Sequence, residues 1–340
     1  MDTYKENSHF KSIVAIVALL LCIHTAPLIA ADNRGISIQK TEKTPSSTVT
    51  TGTYRALIIG NDKYSDERGK WQPLNTAVSD AKAVAKLLSQ QYGFTDVQYL
   101  ENATRRDILL ALEELSKKSL KNDNVLIYYA GHGFLDSETN KGFWVPVDAK
   151  GSDHTTFLRN STIRDEVSGI AANVKHTLLI SDSCFSGSLL RTATRSINES
   201  DYTEKYFEKV SSKKSVQIMA AGGFEFVDDD YRNSGHSPFT YFLLNELKTN
   251  NSPMFTVSQL SGNVERAVAN NVEQIPESGV LQGAGDELGE FIFIKLDVAV
   301  EGIDPDKVKV DVNLVPAKPV SKNTAKDLPA KTKVVPIPTL

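Results

Sequence analysis

The feature that most constrains this chain is an alternation. Short apolar runs, "RALIIGN" at 55–61, "NVLIYYAGHG" at 124–133, "HTLLISDSC" at 176–184 and "VQIMAAGG" at 216–223, are separated by segments with a helical period. The first of these segments spaces Ala77, Val78, Ala81, Val84, Ala85 and Leu88 along one helix face and stops at Gly93. In the second, Thr104 is placed to cap "TRRDILLALEELSKK", and "IRDEVSGIAANV" reads as a third, shorter helix. Runs that are apolar on both faces are buried strands. Strands alternating with amphipathic helices give an α/β fold with a mostly parallel central sheet and helices on both faces. "VQYL" adds a strand, "GFWVPVD" an edge strand because of Pro146, and "LGEFIFIKL" a last strand. "SPFTYFLLNELK" and "TVSQLSGNVERAVANN" are helical, and no internal repeat is found.

Four segments follow from this pattern. Residues 1–31 form a targeting segment: Lys5 and Lys11 precede "SIVAIVALLLCI", and small residues end in Ala30 and Ala31. Cleavage after one of those alanines is expected, with an uncleaved membrane anchor as the alternative. In both cases the folded part is exported, to the periplasm or the medium, and touches a membrane only through an uncleaved N-terminal segment. Leu21 before Cys22 is too bulky for lipid processing of that cysteine. Residues 32–53 are a Ser/Thr-rich flexible linker, 54–297 the folded domain, and 298–340 a Pro- and Lys-rich tail expected to be disordered. The net charge of −4 and the lack of a basic stripe interleaved with aromatics argue against a nucleic-acid partner.

Of two cysteines, Cys22 lies in the targeting segment, so the mature chain keeps only Cys184. That excludes an internal disulfide and a multi-cysteine zinc site. In an open parallel sheet, ligands bind beyond the carboxyl ends of the strands. Two strands carry reactive side chains there: "YYAGHG" gives His132 and "LLISDSCFSG" gives Cys184. An imidazole beside a thiol is the minimum for nucleophilic catalysis by cysteine. The flanking small residues keep the site open, and the amides of Gly133 and Cys184 are candidates for an oxyanion hole. Taken singly, a strand-end His is an ordinary structural residue and a buried Cys is inert core; the combination points to a site. His154 lies in a polar stretch, His176 at the opposite end of the sheet, and His236 is the reserve candidate for the base.

In consistent order, "LIIGNDKY", "AVSDAKAVAKLL", "VLIYYAGHG", "LISDSCFSG", "AAGGFEFVDDD" and "HSPFTYFLLNEL" resemble the caspase-like cysteine peptidases, the clan of caspases, metacaspases and their bacterial relatives. The resemblance implies a caspase–haemoglobinase fold and endopeptidase activity on proteins or peptides through a Cys184–His132 dyad, with no cofactor required. The acid two residues before the nucleophile, Asp182, is as in metacaspases. It implies pairing with Arg or Lys of the substrate, the bland alternative being a carboxylate that caps nearby backbone N–H groups; Glu225 matches a second acidic pocket position or is an ordinary exposed loop acid. Asp80 resembles a common family Asp and is read as structural. The run Asp228, Asp229, Asp230 is either a calcium site, since calcium activates some metacaspases, or a solvated loop; it lacks EF-hand spacing. The long polar connection after the nucleophile carries Arg191, Arg195, Lys205, Lys209, Lys213 and Lys214. It is a candidate for self-processing of a zymogen, or else a solvated loop with a short helix at "YTEKYFEKV" that is never cut. A non-catalytic binding module on the same fold is the competing function. A flavodoxin-like domain is disfavoured, because no phosphate-cradling Gly-rich motif follows the first strand.

Overall fold

A computed structural model of the chain describes residues 52–64, 69–184, 186–191, 203–222 and 229–296. In chain order the first half runs β1 (Tyr54–Gly60), α1 (Ala77–Gln91), β2 (Phe94–Glu101), α2 (Arg105–Lys118), β3 (Asn124–Ala130), β4 (Gly133–Asp136), β5 (Lys141–Trp144), β6 (Leu158–Arg159) and α3 (Asn160–Asn173). The second half runs β7 (His176–Asp182), β8 (Leu190–Arg191), α4 (Glu204–Ser212), β9 (Ser215–Ala220), α5 (Pro238–Thr249), β10 (Met254–Thr256), α6 (Val257–Ala269), β11 (Glu277–Leu281) and β12 (Ile292–Ile294). The central sheet has the order β2-β1-β3-β7-β9-β11-β8. Its first five strands are parallel, and β11 and β8 close it with antiparallel pairings.

Side-chain parity along the strands builds the two faces. On one face Ile58, Leu126, Tyr128, Leu178, Ile180 and Met219 pack under α1, α5 and α6. On the other, Leu57, Ile59, Val125, Ile127, Leu179 and Ile218 pack under α2 and α3. Every side chain of β3 and β7 is buried, which is why those strands read as unbroken apolar runs rather than alternating ones. Thr104 caps α2 as its sequence suggests, in a capping box with Asp107.

Two expectations need correction. "LGEFIFIKL" is not the last strand of the central sheet; its β12 pairs with β10 in a separate two-stranded sheet. The vacated place is taken by "ESGVL", whose exposed Glu277 and half-buried Ser278 and Gly279 carry no apolar signal. Pro146 does not lie on an edge strand, because β5 ends at Trp144 and is the middle of a small antiparallel sheet β4-β5-β6. The short helix read at "YTEKYFEKV" in the polar connection before β9 is present as α4, capped by Thr203 and anchored by buried Phe207. The targeting segment, most of the linker and the C-terminal tail lie outside the described residues. No helix among the described residues is long and apolar enough to cross a membrane.

Candidate active site

Register alone brings His132 and Cys184 together. Parallel strands β3 and β7 pair Ala130 with Asp182, and each reactive residue sits two positions beyond that last pair. Both line one small open cleft of about 50 Å³ at the carboxyl end of the sheet, with Leu74, Thr76, Asp80, Asp182, Asp229 and Ser237. This is where a parallel sheet of this kind presents its ligand site.

His132 is held on all sides. Its backbone N–H donates to the Tyr64 hydroxyl at 2.8 Å, and its carbonyl accepts from Tyr129 Oη at 3.0 Å and from the Val145 amide at 2.9 Å. The imidazole packs against Tyr64 and Trp71, with ring centroids 4.6 and 5.5 Å away. Its Nε2 lies 2.7 Å from the main-chain carbonyl of Gln72. A carbonyl only accepts, so this bond puts the proton on Nε2 and leaves the Nδ1 lone pair of the neutral ring as the base. Burial pushes the His132 pKa below its ordinary value, against the opposing pull of the Gln72 carbonyl and of Asp229. The ring is therefore neutral at neutral pH, as a proton acceptor must be.

Close packing fixes the thiol side. A Cβ on Gly133 would stand 1.9 Å from the Cys184 carbonyl oxygen and 3.1 Å from its nitrogen, so only glycine lets the two backbones meet. The Val145 N–H donates to the His132 carbonyl just beyond the ends of β4 and β5, and by the alternation of an antiparallel ladder the next pair, Gly133 and Trp144, is of the non-hydrogen-bonded kind. Below Cys184, Trp144 stacks on Tyr129 at 4.1 Å and donates Nε1–H to Ser181 Oγ at 2.9 Å. Ser181 in turn meets Ser183 Oγ at 3.0 Å. Cys184 itself is half-buried, is in no disulfide and lines the cleft.

The far end of the cleft is acidic. Asp182 is buried, and its Oδ2 accepts from Ser237 Oγ at 2.5 Å and from Thr240 Oγ1 at 2.6 Å. Its Oδ1 is buried with no hydrogen-bond partner. Burial, reinforced by the charge of Asp80, raises the Asp182 pKa to about 7 against the two hydroxyl bonds. Asp80 is the residue that sequence reasoning set aside as structural. It lines the same cleft, accepting from Ser237 N at 3.2 Å and facing His236 Nδ1 at 2.6 Å. Burial raises the Asp80 pKa as well, opposed by the bonds from His236 and Ser237. His236, the reserve base, is thus committed to Asp80, whereas His154 packs among Phe134, Phe143 and Phe157.

Glu225, Asp228 and Arg195 lie outside the described residues. Asp229 is spent on the start of α1, accepting from Asn75 N and Nδ2 and from Thr76 N and Oγ1, and Asp230 Oδ1 accepts from Gly235 N. Among the described residues no three His, Cys, Asp or Glu side chains are grouped to hold a metal ion, and Asp228 of the acidic run lies outside them. Of the basic candidates for self-processing, Arg191 closes β8 opposite Val280, Lys205 and Lys209 lie within α4, Lys213 ends it, and Lys214 Nζ bonds the Ala171 carbonyl.

The chain resembles several known proteins. It is 29% identical to Metacaspase-7 of Arabidopsis thaliana over 211 residues, 56% of this chain and 45% of that one. It is 30% identical to Metacaspase-1A of Aspergillus niger over 157 residues, 41% of this chain and 37% of the relative. The chain thus spans less than half the length of these curated relatives. Among solved structures, protein GSU0716 from Geobacter sulfurreducens superposes with a TM-score of 0.48 at 18% identity, over 71% of this chain and all of that one. The Caspase domain family matches residues 53–280, from just before β1 to β11, and takes in both strand ends that carry His132 and Cys184; the chain belongs to that family.

Proposed function

We propose that this protein is an exported cysteine endopeptidase that cleaves after Arg or Lys. Cys184 Sγ attacks the scissile carbonyl carbon as its proton passes to His132 Nδ1, while Nε2–H stays on the Gln72 carbonyl. The amides of Gly133 and Cys184 receive the oxyanion. The imidazolium then protonates the leaving amine, giving a thioester acyl-enzyme, and neutral His132 next draws a proton from the water that hydrolyses it. The reading is supported by the family, by the shared cleft of the two side chains, and by the Nε2 bond that leaves Nδ1 free.

One observation carries the specificity: Asp182 Oδ1, buried and unpartnered in the cleft that holds His132 and Cys184. An acceptor left so is costly, and a guanidinium or ammonium satisfies it with a charge-assisted bond. Asp80 adds a second carboxylate to the same end; Glu225, the further acidic candidate, lies outside the described residues. An anionic substrate side chain would meet only repulsion. The test is hydrolysis of peptide amides ending in Arg, Lys, Asp or a neutral residue by the parent and by Cys184→Ala. Turnover of the basic amides by the parent alone is expected. Turnover by a folded Cys184→Ala protein refutes the nucleophile, preference for Asp refutes the pocket, and no turnover by the parent favours the non-catalytic module. Calcium dependence and self-processing are read in the same preparation, with and without a chelator, from fragment masses. Cuts at Arg191, Lys205 or Lys209 require β8 or α4 to open first.

A further inference from the structure

We propose that the acidic end of the cleft holds one proton between Asp182 and Asp80 when it is empty and releases that proton when a cationic substrate side chain enters. The inference rests on the reading of Asp182 as the recognition carboxylate and deepens it.

The two carboxyl groups are separated by a single residue. The Ser237 amide donates to Asp80 Oδ2 at 3.2 Å, and the Ser237 hydroxyl donates to Asp182 Oδ2 at 2.5 Å. Asp80 is 1% exposed and Asp182 5%. Two negative charges so placed and so buried do not both persist without a counter-charge. Among the described residues neither carboxylate has a Lys or Arg partner; the one imidazole in contact is His236, bonded to Asp80. That imidazole meets Asp80 and not Asp182, and the other titratable groups around the pair supply no counter-charge. Tyr128, reaching in from β3, bonds Thr240 Oγ1 at 2.6 Å and stays neutral, its pKa pushed well above 10 by burial and by these same two acids. Asp229, beside α1, adds negative charge. His132 and Cys184 line the cleft with them.

The proton therefore comes from solvent and sits on the pair. Both hydroxyl donors use Asp182 Oδ2, so Oδ1 is the unpartnered atom. A substrate ammonium or guanidinium needs an acceptor there. When it arrives, the carboxyl group gives up its proton to solvent, and the carboxylate pairs with the incoming cation. The balance is one cation bound for one proton released.

The experiment is calorimetric. The Cys184→Ala protein, which cannot turn over, is titrated with a peptide ending in Arg and with the same peptide ending in citrulline. Each titration is run in two buffers of different ionisation enthalpy, phosphate and imidazole at pH 6.5, borate and Tris at pH 8.5. The dependence of the heat on the buffer's ionisation enthalpy counts the protons released. For the Arg peptide about 0.5–1 proton is expected at pH 6.5 and close to none at pH 8.5. The citrulline peptide is expected to release none, which also controls for His132, because both peptides present the same backbone to it. Tighter binding of the Arg peptide with no proton release at pH 6.5 overturns the proposal and leaves the specificity reading standing. Equal binding of the two peptides overturns the specificity reading itself. In His236→Gln on the same background the release persists if the carboxyl pair holds the proton, and its loss there refutes that assignment.

Discussion

Replacing Asp182 by Asn should make the protein more stable and a worse enzyme. The amide oxygen keeps both bonds from Ser237 and Thr240, the amide nitrogen takes the unpartnered Oδ1 position at the cleft, and the buried charge disappears. The Asp182 pKa stands at about 7 in the folded chain against an ordinary 3.8. The unfolded chain therefore ionises first. Stability from this group is fully present below pH 4, is lost as pH rises towards 7, and is level above that. Three pKa units at about 1.4 kcal/mol each bound the loss at about 4 kcal/mol, an upper limit because Asp80 shares the titration. Recovery of half of that, about 2 kcal/mol, raises the Tm of a domain this size by about 4–8 °C. Thermal unfolding of parent and Asp182→Asn at pH 4, 6 and 8 is the assay. The gap should be near zero at pH 4 and widest at pH 8. In parallel, kcat/KM on an Arg substrate should fall at least about 30-fold, the lower end of the cost of leaving a buried substrate charge unpaired. A gap that is absent at pH 8, or the same at pH 4 and pH 8, would falsify the reasoning.

Other expectations follow from single contacts. Tyr64→Phe removes the acceptor 2.8 Å from the His132 amide; it should cost about 1 kcal/mol of stability and lower kcat with little change in KM, and a KM effect alone would place Tyr64 in substrate binding instead. Gly133→Ala puts a methyl group 1.9 Å from the Cys184 carbonyl, so kcat/KM should fall by about 100-fold in a protein whose circular dichroism is intact; full activity would mean that the two backbones separate without consequence. His176, buried at the other end of the sheet with Nδ1 on Ser215 Oγ at 2.9 Å, has its pKa lowered to about 4, mainly by burial. Below pH 6.5 the unfolded chain takes up that proton first, so stability should fall between pH 6.5 and 4, and His176→Gln should show a flatter urea-midpoint profile over that range.

What could be read in the sequence was whatever repeats at short range. The five helices α1, α2, α3, α5 and α6 and the buried strands β1, β3, β7 and β9 announce themselves by period, and two of those strands end in His132 and Cys184. Strands of two to four residues such as β4, β8 and β10 are too short to show a period, and β11 is too polar. Gln72 could not be found as the partner of His132, because it acts through a main-chain carbonyl that any residue supplies. The acidic end of the cleft is assembled from the start of α1, the end of β7 and the start of α5, so no local pattern holds it. Asp80 nevertheless left a trace. It lies three residues after Ala77 and four before Val84, on the stripe of α1 that faces the core, where an ionisable side chain is rarely buried without a partner. A carboxylate on the apolar face of a helix, bonded there to His236 and to the Ser237 amide, is the trace that the proposed cation-binding end of the cleft leaves in the sequence.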